Sequence, residues 1–254
     1  MAYDPEPHAC IFFYGHNDNE TGYLSNFFFC PFTMTTTDGL CITYQTSEQA
    51  IMAHKAELMG DKESLRKIQA AGFSPALCKS LGRNVSPWNQ KKWDLHISTL
   101  AYNILYAKFK QHKDLYRKLD ETGSKVLAEA APFDRIWGIG LSVQEAKAGR
   151  PWRGKNLLGI TLMRVRSELR FEKKRENDIF DACLQELKHA MDDQSYKSAA
   201  ESLEDISRDT SAMIELLSKE DTPIEVICLC RTFLNASTVT EAQKMIREDF
   251  KLFY

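Results

Sequence analysis

A carboxylate and an amine lie two helical turns apart in the segment Tyr44–Lys55, whose sequence is YQTSEQAIMAHK. Glu48 and Lys55 share one face of the predicted helix, about 10 Å apart along its axis, and the lysine leans back toward the carboxylate. Between them on that face are the apolar residues Ile51 and Met52. A charged pair on an apolar stripe costs free energy unless the two groups pair or meet a ligand. The spacing leaves two interpretations, an ordinary charged edge of a surface helix or a ligand site.

A second candidate is the loop Phe133–Gly140, whose sequence is FDRIWGIG. Asp134, Arg135 and Trp137 stand in this glycine-flanked loop, the kind of segment where binding groups concentrate. An arginine suits a phosphate, a tryptophan can stack on a base, and glycines allow close approach of the backbone. The loop has no phosphate-loop consensus, so by itself it does not define a nucleotide site.

Two further segments carry polar or aromatic groups that a ligand could use. Leu24-Ser25-Asn26-Phe27 places polar side chains ahead of an aromatic run, and an Asx-type turn is the alternative to a binding role. Trp88 and Trp93 lie near Gly82-Arg83, at the start of a long predicted helix. Core packing is the usual role of such tryptophans.

Four short segments predict the strands that help to position these groups. Ala9–Tyr14 predicts a buried strand, and Lys125–Ala130 predicts another. Phe27–Met34 and Leu40–Tyr44 flank the turn dipeptide Asp38-Gly39 and predict a hairpin.

Helices fill most of the remaining first 170 residues. Thr46 and Gln49 form a capping box for the helix that carries Glu48 and Lys55, and Gly60 ends it. The other predicted helices are Asp61–Gly72, a short one between Ser74-Pro75 and Gly82, a long one from Ser86-Pro87 to about Gln111, and Asn156–Arg170. Together these elements predict an α+β domain with a small mixed sheet surrounded by helices.

Charge and glycine are distributed unevenly along the 254 residues. Residues 1–170 hold 22 Lys and Arg against 17 Asp and Glu, a balance of +5, whereas residues 171–254 hold 11 against 18, a balance of −7. All 12 glycines lie in the first part. Because a stretch without glycine has few tight turns, we predict a domain of residues 1–170 and an all-α acidic C-terminal extension, residues 171–254. The boundary is expected near Arg170–Arg175.

About four amphipathic helices are predicted in the extension. Their apolar positions fall in Ile179–Met191, in Ala199–Ile206 followed by Met213–Leu217, and in Ile224–Leu234, and Thr240 with Gln243 opens the last helix. No catalytic pattern occurs there. The role of the extension is left open between a packed helical bundle and an acidic surface that binds a protein partner.

Composition also indicates where the protein resides. No apolar run approaches the ~20 residues of a membrane span, and the N-terminus is too acidic and proline-rich for a signal peptide. The seven cysteines are scattered, mostly among apolar neighbours, and show no CxxC spacing. This pattern is typical of buried thiols in a reducing compartment. We expect an intracellular, cytoplasmic protein, with the nucleus as the alternative, and no membrane partner.

From Tyr14 to about Arg170 the sequence resembles the NADAR (NAD and ADP-ribose superfamily) domain. The order and spacing of many short motifs carry the resemblance: Leu24-Ser25-Asn26-Phe27, Thr46-Ser47-Glu48 with Lys55, Gly82-Arg83, Trp93, Lys108-Phe109, Thr122-Gly123, Trp137-Gly138, Asn156-Leu157-Leu158-Gly159 and Leu162-Met163-Arg164-Val165-Arg166. Two residues of the helix that carries Glu48 depart from the family pattern. Gln49 stands where members usually carry histidine, and Met52 where many carry glutamine, so both bear on substrate preference.

The resemblance implies an N-glycosidase, which breaks the bond between a ribose anomeric carbon and a nitrogen. Some members remove a phosphoribosyl group from early riboflavin-pathway intermediates, and others remove ADP-ribose from modified guanine in nucleic acid. The added C-terminal region favours ADP-ribosylated nucleic acid as substrate, with phosphoribosylamino-pyrimidine intermediates as the alternative. No metal and no cofactor are expected. A non-catalytic ADP-ribose-binding module is a third interpretation, disfavoured by the intact pair of Glu48 and Lys55, because such a module has no need of both.

Cleavage of a ribosyl C–N bond gives each candidate residue a role. The bond breaks through an oxocarbenium-like state that a carboxylate stabilises, and the helix dipole favours the ionised form of Glu48 in the first turn. A lysine made neutral by apolar surroundings can attack the anomeric carbon and form a Schiff base. The predicted catalytic residues are Lys55 as nucleophile, Glu48 as acid and base, and Asp134 as the carboxylate that positions ribose or water. The predicted binding residues are Arg83 and Arg135 for phosphate, Trp93 and Trp137 for the base, Gly138 for close backbone approach, and Asn26 and Asn156 for the ribose or the base edge.

Overall fold

The computed structural model describes residues 9–36, 39–190, 213 and 224–253, and the chain divides into two compact units, Met1–Leu169 and Arg170–Tyr254. The strands are β1 (Cys10–Phe13), β2 (Phe32–Thr35), β3 (Cys41–Tyr44) and β4 (Val126–Glu129). The helices are α1 (Ser47–Met59), α2 (Lys62–Ala70), α3 (Pro75–Arg83), α4 (Gln90–Gln111), α5 (Lys113–Glu121), α6 (Val143–Lys147), α7 (Leu157–Ala190), α8 (Ile224–Asn235) and α9 (Val239–Phe253).

The strands form two separate two-stranded ladders. β1 and β4 pair in parallel, with Phe13 opposite Glu129, and β2 and β3 pair antiparallel, with Phe32 opposite Tyr44. A parallel pair needs a crossover connection between its strands, and the segment that contains α1–α5 provides it. The predicted α+β class is confirmed. In the part of the chain that the structure describes, however, the two ladders replace the expected single mixed sheet.

The predicted hairpin is present but its first strand is shorter than expected. β2 begins at Phe32, whereas the sequence predicts a strand from Phe27. The hydroxyl of Ser25 accepts a hydrogen bond from the N–H of Phe27 at 3.1 Å, so this aromatic residue belongs to a turn. Of the predicted turn dipeptide, Gly39 is described and Asp38 lies outside the described residues.

Helix α1 lies inside the first unit and has the predicted bounds. The Thr46 side chain accepts a hydrogen bond from the Gln49 N–H at its start, and Gly60, in the left-handed conformation, follows its end. The helix packs against α2, α3 and α4. Its burial therefore extends beyond one stripe and includes Ala50, Ile51, Met52, Ala53, Ala56 and Met59. Glu48 is buried with them, so the interpretation as a charged edge of a surface helix is wrong.

Helix α4 begins later than the sequence predicts. Its N-cap is Asn89, whose side chain accepts a hydrogen bond from the Lys92 N–H at 2.9 Å, and Ser86-Pro87 lies ahead of the helix. The predicted end at Gln111 is confirmed. Helix α5 follows after His112 and is a further element that the capping signals do not predict.

Helix α7 runs without interruption from Leu157 to Ala190, whereas the sequence predicts one helix ending near Arg170 and another beginning near Ile179. After Gly159 the segment contains no glycine or proline, the two residues that most disfavour a helix interior. Nothing in the local sequence therefore ends the helix between the two units, and their division falls inside it.

The second unit is helical in its described parts and has its own core. Apolar residues of α7, α8 and α9 pack together with Met213: Ile179, Phe180, Cys183, Val226, Cys228, Leu229, Cys230, Phe233, Ala242 and Ile246. The predicted segments 199–206 and 214–217 lie outside the described residues. The role of this unit stays a prediction.

The cap of helix α9 lies two residues before the predicted one. The Thr238 side chain accepts a hydrogen bond from the Glu241 N–H at 3.2 Å, and the Glu241 carboxylate accepts one from the Ser237 N–H at 2.8 Å. Thr240, the predicted cap, is therefore inside the helix. Among the helices of the described residues, none is both long enough and apolar enough to cross a membrane.

Candidate active site

Five segments of the first unit meet around a cleft of about 120 Å³, here called the inner cleft. They are a loop after β1, helices α1 and α3, the end of β4, and the loop that follows β4. The residues that line it are Ser25, Asn26, Phe27, Glu48, Met52, Lys55, Lys79, Arg83, Glu129, Asp134 and Trp137. Of the ten sequence-predicted site residues, the inner cleft brings together Asn26, Glu48, Lys55, Arg83, Asp134 and Trp137.

A larger space of about 520 Å³, the outer cleft, continues from the inner cleft. The two share walls, namely Ser25, Phe27, Lys79, Arg83, Glu129 and Asp134. The outer cleft is further lined by the loop Tyr14–Asp18 and by Phe133, whose side chain is fully exposed. A ligand can therefore occupy the inner cleft and extend past Lys79 and Arg83 into a wider space.

Glu48 lies in the inner cleft, and the pKa of its carboxyl group is shifted from the usual value. The backbone N–H of Glu48 donates a hydrogen bond to the Asn26 carbonyl at 2.9 Å, which joins the start of α1 to the loop opposite. Burial raises the pKa of Glu48 to about 7, and the negative charge of Asp134 adds to the rise, although Lys79, Arg83 and Lys55 oppose it. The helix dipole predicts the ionised form, but burial outweighs that contribution.

The amine of Lys55 is half-buried and does not pair with Glu48. Its Nζ donates a hydrogen bond to the Gly82 carbonyl at 2.7 Å and lies 4.4 Å from the ring centre of Trp88. Within the described residues, no ion pair joins Lys55 to a carboxylate. Burial lowers the pKa of this lysine, Arg83 lowers it further, and the negative charge of Glu48 works in the opposite direction. The site thus contains a lysine whose neutral form is more accessible than in water.

Asp134 both organises its loop and faces the two clefts. One carboxylate oxygen accepts hydrogen bonds from the N–H groups of Ile136 and Trp137, at 3.0 and 2.8 Å. This turn holds Trp137 with part of its ring in the inner cleft and part against the surrounding apolar residues. The loop is therefore a fixed wall of the site.

Asn26 presents an unpaired acceptor to the inner cleft. Its Oδ1 atom is buried and has no hydrogen-bond partner within the protein. A buried acceptor without a donor costs free energy, which a ligand hydroxyl or amino group in the cleft would offset.

Four predicted binding residues do not line either cleft. Trp93 packs in the core around α1, and Arg135 is exposed, with its carbonyl accepting from the Lys155 N–H. Gly138 packs so closely that a Cβ there would lie 2.8 Å from the Glu129 carbonyl oxygen. A ligand in either cleft is therefore not expected to contact these three residues directly.

Asn156, the fourth of these residues, supports the end of β4 instead of a ligand. Its side-chain amide donates to the Leu127 carbonyl at 2.8 Å and its Oδ1 accepts from the Glu129 N–H at 3.1 Å. The residue adopts a positive φ of 52°, where asparagine is enriched among non-glycine residues. It therefore acts on the site indirectly, through the backbone of Glu129.

Two charged residues of the inner cleft, Lys79 and Glu129, are missing from the sequence prediction. Lys79 precedes Arg83 by four residues and so shares its face of α3, which is a usable signal. Glu129 is the acidic residue that ends the apolar strand VLAE. Neither spacing connects these residues to Glu48, because the contacts arise only from tertiary packing.

The two departures from the family pattern have different surroundings. Gln49 is a structural residue, since its side chain donates to the Ile68 carbonyl at 3.1 Å and accepts from the Gln45 N–H at 2.8 Å. Met52 lines the inner cleft. Of the two, only Met52 is placed to contact a substrate.

The arrangement suits acid–base and covalent catalysis at a sugar. Buried carboxyls whose pKa values lie near 7 can give and take protons at neutral pH, and a lysine with a lowered pKa can act as a nucleophile. Glycoside hydrolysis uses such carboxyls to stabilise an oxocarbenium-like state and to protonate the leaving group. The fold and the site therefore define a hydrolase of the glycosidase type.

The chain belongs to the NADAR domain family, whose model matches residues 12–170. It is 40% identical over 162 residues to "N-glycosidase R617" of Acanthamoeba polyphaga mimivirus, covering 62% of this chain and 95% of that protein. It is 32% identical over 163 residues to "N-glycosidase YbiA" of Escherichia coli, covering 64% of this chain and 90% of that protein. The predicted class, a hydrolase acting on N-glycosyl bonds, is confirmed.

A structure and a further relative extend the comparison. The solution NMR structure of E. coli YbiA aligns with a TM-score of 0.52 at 31% identity, over 65% of this chain and 86% of that one. "Riboflavin biosynthesis protein VVA0006" of Vibrio vulnificus is 30% identical over 160 residues, which are 63% of this chain and 38% of that protein.

Replacing Trp137 by alanine is expected to raise KM about tenfold or more, because stacking of a base on an aromatic ring contributes ~1–3 kcal/mol. The matched control is Trp152→Ala, since Trp152 packs against a different part of the core and lines neither cleft. Steady-state kinetics and melting curves of both variants separate binding from stability. Equal KM values for the two variants would mean that Trp137 has only a structural role.

Proposed function

We propose that this N-glycosidase removes ADP-ribose from ADP-ribosylated guanine in nucleic acid. The observation that carries the proposal is the continuation of the inner cleft into the outer cleft, which is larger. A phosphoribosyl group ends at its phosphate, whereas an ADP-ribosyl group continues through a second phosphate to an adenosine. The outer cleft has room for this second phosphate and the adenosine.

The walls of the two clefts fit such a ligand in chemistry as well as in size. Lys79 and Arg83 lie where the two spaces join and can bind the phosphates that follow the ribose. Tyr14 and Phe133 line the outer cleft with side chains that are 58% and 100% exposed. Exposed aromatic rings beside cations are the usual platform for a nucleobase.

In the proposed reaction Lys55 is the nucleophile and Glu48 the acid and base. The Lys55 amine attacks the anomeric carbon, the C–N bond to guanine breaks, and the ribose ring opens to leave a Schiff base that water hydrolyses. The unpaired Oδ1 of Asn26 accepts a hydrogen bond from a ribose hydroxyl. Asp134, on the wall shared by the two clefts, positions the ribose or the attacking water.

A second candidate is hydrolysis of phosphoribosylamino-pyrimidine intermediates of riboflavin biosynthesis. The similarity to a relative named as a riboflavin biosynthesis protein favours it. A third, an ADP-ribose-binding module without catalysis, is disfavoured by the state of Glu48. Burying a carboxyl at a cost in stability serves proton transfer but not simple binding.

Turnover of both substrates by the same preparation tests the proposal. We expect a higher kcat/KM for DNA carrying ADP-ribosylated guanine than for the phosphoribosylamino-pyrimidine. Phe133→Ala is expected to lower kcat/KM severalfold for the first substrate only, because a phosphoribosyl group does not reach that ring. Greater efficiency with the pyrimidine, unaffected by Phe133→Ala, would establish the riboflavin-type activity instead. Binding of ADP-ribose without turnover of either substrate would establish the binding module.

A further inference from the structure

Glu129 is a partly buried acidic residue of the site that no motif of the family resemblance includes. It lines both clefts, and its Oε2 atom is buried without a hydrogen-bond partner. An unpaired buried carboxyl oxygen is costly, and a ligand in the cleft is the partner that the surrounding protein does not supply.

Hydrogen bonds hold both the N–H and the carbonyl group of Glu129. Its N–H donates to the Asn156 side chain at 3.1 Å, and its carbonyl accepts from the N–H groups of Ala131 and Ile139, at 2.9 and 2.8 Å. Pairing of β4 with β1 holds the same segment from the side. These contacts fix the backbone from which the Glu129 side chain reaches the clefts, and a fixed backbone helps to position an acid–base group.

The charged neighbours of Glu129 differ from those of Glu48. Three cations act on Glu48, namely Lys79, Arg83 and Lys55, and the negative charges of Asp134 and of Glu129 itself oppose them. Glu129 has one cation, Lys79, against two anions, Asp134 and Glu48. Burial raises the pKa of both carboxyls to about 7. Because more cations surround Glu48, the first ionisation of the pair falls on Glu48, and its negative charge then favours the protonated form of Glu129.

We propose that Glu129 is a second catalytic carboxyl, which protonates the departing base and then activates the water that releases the sugar from Lys55. The inference rests on the proposed N-glycosidase reaction with Lys55 as nucleophile. It divides the proton transfers between two carboxyls, with Glu48 serving the lysine and the ribose ring oxygen.

The proton transfers balance over the cycle. The lone pair of Lys55 forms the bond to the anomeric carbon, the C–N electron pair goes to the base nitrogen, and Glu129 gives that nitrogen its proton. Glu48 takes a proton from the attached lysine nitrogen and gives it to the ring oxygen as the ring opens to the protonated imine. Water then adds to the imine carbon and leaves one proton on Glu129. The remaining hydroxyl proton passes to the lysine nitrogen as it departs, and every group returns to its first state.

The test compares Glu129→Gln, Glu129→Asp and the control Glu57→Gln on the intact chain, with the substrate that the wild type turns over. Loss of a general acid lowers kcat by about 10²-fold or more. We expect this loss for Glu129→Gln, with the substrate dissociation constant unchanged within about threefold. We also expect the alkaline fall of the wild-type rate, near the pKa of about 7 that burial gives Glu129, to disappear. Glu129→Asp should keep that fall at a reduced kcat, and Glu57→Gln should match the wild type.

Several results would overturn the inference. If Glu129→Gln keeps kcat within about tenfold of the wild type, or its rate still falls at alkaline pH as the wild-type rate does, the reaction does not need a proton from Glu129. If Glu129→Gln does not fold, wild-type kcat in Glu129→Asp decides against the proposal in the same way, and a reduced kcat supports it. Failure of the proposed function is a separate result, seen with the wild type alone, which would then prefer the phosphoribosylamino-pyrimidine or turn over neither substrate.

Discussion

Borohydride added during turnover is expected to leave one reduced sugar adduct on Lys55. The amine of this residue is half-buried, and burial together with Arg83 lowers its pKa, so the neutral, nucleophilic form is more accessible than for a lysine in water. Attack on the anomeric carbon produces an imine, which borohydride reduces to a stable secondary amine. Peptide mass spectrometry then locates the added mass.

Variants make the assignment specific to the inner cleft. Lys55→Ala is expected to lose turnover by about 10³-fold or more, as nucleophile deletions do, and to give no adduct. Lys55→Arg should be equally inactive, because arginine keeps the charge and stays protonated. Lys92→Ala is the matched control, since Lys92 is an exposed lysine of α4 that lines neither cleft. Near-normal turnover of Lys55→Ala without any trapped adduct would favour Glu48 with an activated water as the mechanism.

The contacts of Lys55 add a requirement to this mechanism. In the structure the amine donates to the Gly82 carbonyl and lies over the Trp88 ring, and both contacts favour the ammonium form. The neutral amine must leave that position to attack the sugar. When substrate enters the inner cleft, its anomeric carbon comes close to the amine. The amine can then exchange its contacts with Gly82 and Trp88 for a bond to that carbon.

Local signals predict the helix that carries the chemistry, because its determinants are close in sequence. Thr46 and Gly60 fix the ends of α1, and the seven-residue spacing places Glu48 and Lys55 in one cleft. Burial of the same helix is not local information. It depends on α2, α3 and α4, which pack around α1 and change the expected charge state of Glu48.

The parts of the site that sequence does not predict come from distant segments. Glu129 reaches the cleft because β4 pairs in parallel with β1, which lies more than a hundred residues earlier in the chain. Residue type alone also predicts the wrong role for a residue whose role is set by tertiary packing. Trp93 and Asn156 have the chemistry of binding residues, yet the first fills the core and the second holds the backbone of β4.

Replacing Glu48 by glutamine is expected to abolish turnover and to stabilise the first unit at alkaline pH. The pKa of this carboxyl is raised from 4.5 to about 7 by burial, so between these values the folded state binds more protons than the unfolded state. Stability from this group is therefore full below pH 4.5 and is lost as pH rises to about 7. The loss is on the order of 3 kcal/mol, at 1.36 kcal/mol for each unit of pKa difference. Glutamine, which has no charge to bury, avoids it.

Melting curves at pH 5 and pH 8 check the stability effect, and single-turnover assays check the catalytic one. Glu48→Gln should melt about 5 °C or more above the wild type at pH 8, and close to it at pH 5. Glu57→Gln, on the exposed side of the same helix, should show neither the gain nor the loss of turnover. A Glu48→Gln gain that is equal at both pH values would mean that the buried charge is not its cause. A higher melting temperature confined to pH 8, together with lost turnover, would show that the ionised Glu48 carboxyl destabilises the folded protein. It would also show that catalysis requires this carboxyl in its buried position.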